Sequence, residues 1–133
     1  MARKTDRINL MKMIFQMEMQ QDFSTEACEH YMENVLEGRP EDPYFLTLYG
    51  QIRDNLDTID EKINAFSKNW KTSRMAKVDL AILRVSAAEI LYMDDISPAV
   101  TANEAVEIAK KYSTEKSPGF INGVLGGIAG AHE

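Results

Sequence analysis

A chain of 133 residues with 44% hydrophobic side chains can bury one full core, so it need not be disordered and is most simply a single domain over residues 1–133. Its one cysteine, Cys28, excludes an internal disulfide and a thiolate cluster for zinc, and reads as a small core residue. The net charge of −6 would repel a polyanion if it were spread evenly, but it falls in blocks: +3 over residues 1–17, −10 over 18–61, +5 over 62–86 and −4 over 87–133.

Apolar residues recur at three- and four-residue spacing along the whole chain, which predicts helices throughout. In the first helix Ile8, Met11 and Phe15 form a stripe that Leu10, Ile14 and Met17 widen. Ser24 is a cap candidate for the second, Phe23 can staple against Cys28, and Gly38 supplies a stop. Asp42 and Pro43 open a third helix that buries Phe45, Tyr49, Ile52 and Leu56. Thr58 and Glu61 have capping-box spacing, ahead of a core stripe of Ile59, Ile63, Phe66 and Trp70.

The fifth helix, about Ser73 to Met93, contains the most apolar run, "LAILRVSAAEILYM". Arg84 and Glu89 interrupt that run, which disfavours a membrane span. The opening "MARKTDRINL" lacks the apolar stretch and cleavage site of a secretory signal, so a cytoplasmic location is expected. Thr101 and Glu104 form a second candidate capping box for the sixth helix. The seventh starts near Pro118 and buries Phe120, Ile121, Val124, Leu125 and Ile128. Asn122 and Gly123 are helical by the spacing on both sides, with the glycine assigned to close packing, and "GGIAGAHE" is expected to fray. The result is an all-α compact single-domain bundle of about seven helices.

Chemistry-bearing constellations are sparse. Glu26, His30 and Glu33 share a helical face but read as a solvated acidic surface rather than a metal site. There is no glycine-rich loop after a strand, no HExxH and no Ser-His-Asp candidate, so an enzyme is disfavoured and no cofactor is expected. Two basic segments are more informative. Arg3, Lys4 and Arg7, in a flexible arm at about residues 1–7, and Lys12 beyond it can meet phosphates. Ser117 and Pro118 mark a helix start close to Lys110, Lys111 and Lys116, where free amides and cations favour an anion. By periodicity alone Phe15 belongs to the core stripe.

Three stretches together resemble the NusB family of bacterial transcription antitermination factors: "RINLMKMIFQMEM", "VDLAILRVSAAEILYMDDISPAVTANEAVEIAKKY" and "EKSPGFINGVL". The resemblance implies an all-helical, non-catalytic protein that binds the single-stranded boxA RNA of nascent ribosomal RNA leaders. It also implies a partner, the small ribosomal protein NusE, and loading onto the RNA polymerase elongation complex with other Nus factors. By position it implies RNA contacts from Arg3, Lys4, Arg7, Phe15, Lys111, Lys116, Ser117 and Phe120, and a place for Asp79 in the partner surface. Phe15 lacks the hydroxyl of the family's more common tyrosine, and Leu80 stands where a basic residue is frequent. The alternative is a helical protein-interaction adaptor or homodimer, for which the acidic block from Glu18 to Glu61 suits a basic protein partner.

Overall fold

The computed structural model describes residues 2–68 and 70–132. Among the described residues the chain is all helical: α1 Ala2–Gln20, α2 Thr25–Asn34, α3 Tyr44–Asp54, α4 Leu56–Phe66, α5 Lys77–Tyr92, α6 Pro98–Tyr112 and α7 Ser117–His132. Every residue of α5 from Asp79 to Ile90 is buried. A helix that is apolar nearly all round has no face to give to water, so it must lie at the centre. Helices α1, α3, α4, α6 and α7 pack around it.

The two charges that interrupt the apolar run are internal ion pairs. Arg84 reaches both oxygens of Asp60 on α4, at 2.9 and 2.8 Å, and Glu18 on α1 at 2.7 Å. Glu89 accepts from Arg7 of α1 at 2.5 and 3.1 Å, from the Tyr44 hydroxyl of α3, and from Thr101 of α6 at 2.9 Å. Charge is tolerated in a core only when paired and hydrogen-bonded, and here each pair joins helices distant in sequence.

Residues 2–7 do not form the expected flexible arm: they are the first turns of α1. Arg7 is only 4% exposed and turned inward to Glu89, while Arg3 lies 3.4 Å from Asp42 and 3.7 Å from Asp95. Those attachments hold the segment against the bundle. Met1 of that arm and Glu133 of the expected frayed tail lie outside the described residues. The rest of the tail stays helical to His132, because Val124, Leu125 and Ile128 are buried against the bundle. Gly127, not Gly123, carries the close approach: a Cβ on Gly127 would overlap the Phe66 ring, whereas Gly123 faces open space.

Ser24 caps α2 as expected, its hydroxyl accepting from the Ala27 amide at 3.1 Å. Neither predicted capping box is a cap. Thr58 lies inside α4, which already starts at Leu56, and Thr101 lies inside α6, where Ser97 caps and Pro98 occupies the first turn. Trp70 is not core: α4 ends at Phe66, and the indole is 54% exposed in the α4–α5 connection.

Candidate nucleic-acid interface

The α6–α7 turn is built by hydroxyls gathered on one carboxylate. Asp79 sits in the first turn of α5, where the exposed amides of a helix start favour an anion. Its Oδ1 accepts from Ser113 at 2.6 Å and its Oδ2 from Ser117 at 3.0 Å. Ser117 also accepts from the Thr114 amide at 3.3 Å. The Ser117 hydroxyl at the α7 start is therefore committed to a carboxylate supplied from within the chain. Ser117 is 2% exposed and committed to Asp79, so its hydroxyl lies under the surface rather than on it.

A cleft of about 580 Å³ opens above this network. Trp70, Arg74, Met75 and Ala76 of the α4–α5 connection form one wall, and Thr114, Lys116, Ser117 and Phe120 form the other, with Asp79 beneath. A second cleft of about 350 Å³ lies between α1 and α6, lined by Lys4, Ile8, Glu107, Ile108, Lys110, Lys111 and Tyr112. The Nζ atoms of Lys12 and Lys111 stand 5.2 and 5.4 Å from the centroid of the Tyr112 ring. Such contacts orient an ammonium without neutralising it. Among the described residues neither lysine has a carboxylate within ion-pair distance, and the same is true of Lys116 and Arg74. Lys110, by contrast, is paired with Glu107 at 3.2 Å.

The two clefts flank one turn, since Tyr112 lines the second and Thr114 the first. The structure thus brings Lys116 and Phe120 together in one cleft and Lys4 and Lys111 together in the other. Phe15 is half-buried and packs on the core, one turn before Glu18, whose carboxylate is 3.4 Å from Lys77 at the start of α5. Arg3 and Arg7 line neither cleft. Asp79 is 8% exposed and lies at the floor of the larger cleft, below the surface to which the resemblance assigns it.

Trp70, Arg74 and Tyr112 belong to these clefts, although the sequence reading assigns none of them to a binding surface and places Trp70 in a core stripe. The signal for the first two was the +5 block over residues 62–86, with a tryptophan beside three cations in "KNWKTSR". Away from the clefts, Cys28 is buried, and burial pushes its thiol up to about 11, as suits a core residue. Among the described residues no group of His, Cys, Asp and Glu could hold a metal ion. No described helix is long and apolar enough to cross a membrane.

Five helices wrapped on a sixth that is buried, with clefts rimmed by cations and rings on either side of one interhelical turn, define an all-α binding domain. The chain belongs to the NusB family, whose model matches residues 4–130. It is 44% identical to the transcription antitermination protein NusB of Natranaerobius thermophilus, over 97% of this chain and 95% of that one. Among solved structures it is similar to T. maritima NusB, at 32% identity and a TM-score of 0.86, covering 98% of this chain and 92% of that one. A structure of the antitermination factors NusB and NusE with double-stranded RNA shares the fold at 23% identity and a TM-score of 0.85, covering 98% of this chain and 97% of that one.

Proposed function

We propose that this chain is a transcription antitermination factor that binds the single-stranded boxA RNA of nascent ribosomal RNA leaders together with NusE. The observation that carries the reading is the pair of clefts on either side of the α6–α7 turn in a chain of the NusB family. Lys4, Lys12, Lys111, Lys116 and Arg74 would neutralise phosphates along the two clefts, with Arg3 at the edge. Phe120, Trp70 and the accessible side of Phe15 would offer faces to unstacked bases. Cations fix a strand's course and rings take its bases, the division of labour expected for single-stranded RNA. Arg7 and Ser117 would act from beneath by holding the walls.

On this reading the protein performs no chemistry of its own. It works in the cytoplasm with the RNA polymerase elongation complex and other Nus factors. The −10 block over residues 18–61 supports a basic ribosomal protein as partner, because opposite fields steer association.

Titration of boxA RNA and a scrambled strand against the protein, alone and with NusE, tests the reading. Tighter binding of boxA is expected, strengthened by NusE. The K4E/K111E/K116E variant should lose that binding while keeping its helicity by circular dichroism. Equal affinity for both strands, or an unaffected triple variant, overturns it.

A further inference from the structure

We infer that Asp79 is a positioning residue of this interface, acting through Ser113 and Ser117 to fix the turn that presents Lys116 and Phe120. The inference rests on the RNA-binding reading above and assigns Asp79 a role other than direct contact.

Proton accounting makes the network directional. A serine hydroxyl has one proton to give. Ser113 gives its proton to Oδ1 of Asp79 and Ser117 gives its own to Oδ2. The 2.9 Å approach of Ser113 to Ser117 is then between two oxygens with no proton left to share. Ser117 instead receives the Thr114 hydroxyl, at 2.9 Å, along with the Thr114 amide. Each bond therefore points toward the Asp79 carboxylate. The order of the turn follows from the two hydrogen bonds to that one side chain.

The anchor point is firmly held, because the helix that carries Asp79 is buried from Asp79 to Ile90. Lys116 precedes Ser117 directly and Phe120 follows it within one helical turn, so fixing Ser117 fixes both. A carboxylate that is 8% exposed with both oxygens occupied has little left to offer a base or a phosphate. Charge-assisted hydrogen bonds are the strong ones, and two of them here hold a turn that separates both clefts.

A double-mutant cycle on boxA affinity tests this, with D79A, the S113A/S117A pair and the triple variant. Each of the first two should weaken binding about tenfold and the triple no more than either, since groups in one network couple strongly. D79N should stay within about threefold of the wild type, as an amide can accept from one hydroxyl and donate to the other. Amide exchange over residues 113–120 should accelerate in D79A while residues 82–90 keep their protection. Additive losses would make Asp79 a direct contact and overturn the assignment. So would unchanged affinity in D79A with only a lowered melting temperature. Failure of the wild-type chain to prefer boxA would sink the RNA-binding reading itself, whatever the cycle gives.

Discussion

Glu89 has no exposed surface and takes four hydrogen bonds, from two nitrogens of Arg7, from Tyr44 and from Thr101. Burial first, and the Glu89 charge second, push the Tyr44 phenol far above its ordinary value, so it serves as a permanent donor. Removing one partner of a buried ion pair leaves the other charge stranded, whereas replacing both by apolar side chains restores most of the loss. E89L should therefore lower unfolding stability by about 3–5 kcal/mol, and R7M/E89L by clearly less, as read from urea denaturation midpoints. A double variant as unstable as the single would show that the hydroxyls of Tyr44 and Thr101, not Arg7, are what Glu89 chiefly serves. The reading of Arg7 as part of a flexible arm overlooks its spacing: it lies three, four and seven residues before Leu10, Met11 and Ile14, on their stripe. Its partner is 82 residues away, a separation that local spacing cannot reveal. Trp70 fails for the complementary reason, because a stripe continued past Phe66 assumes a helix that has ended.

Among the helices, the buried one is the easiest to read and its neighbours' starts are the hardest. A Thr followed three residues later by Glu also arises inside helices, which is why Thr58 and Thr101 mislead; Ser24 is a true cap, and α6 takes its cap from Ser97, four residues before Thr101. What joins the helices is legible only in part. Arg84 is plainly a charge in an apolar run, yet its carboxylates come from α1 and α4. Burial raises the Glu18 pKa, but the hydrogen bonds and charges of Arg84 and then Lys77 outweigh it and leave the group below its usual 4.5. A carboxylate depressed in the folded state contributes stability that is fully present above its unfolded value and is lost as pH falls through the lower, folded one. Acidification below 4.5 should therefore loosen the α1–α5 junction. Urea denaturation between neutral pH and about pH 3 should give a shallower acid loss for E18Q than for the wild type. Equal acid slopes would mean that other carboxylates carry the whole effect.

Across the whole molecule, the balance of −6 and the cationic clefts are compatible because Arg3, Lys77 and Arg84 are paired with carboxylates of the acidic block, whereas Lys12, Lys111, Lys116 and Arg74 have no carboxylate partner among the described residues. Arg39 and Arg53 sit in the acidic half and are neutralised where they stand, by Glu29 and Asp54, each at 2.8 Å. Lys12 and Lys111 share one aromatic ring and have no carboxylate partner among the described residues. K12Q/K111Q and R39Q/R53Q both change the total charge by two units, so a response to net charge alone would treat them alike. Within a screening length of about 8 Å at physiological salt, only charges beside the strand are felt. For a single strand each neutralised phosphate contributes about −0.7 to the slope of log affinity against log salt. K12Q/K111Q should thus flatten that slope by about 1.4. R39Q/R53Q should leave it where it was. Equal flattening in both variants would mean that the strand responds to the overall charge of the protein and not to the two clefts, and the interface would have to be sought elsewhere on the surface.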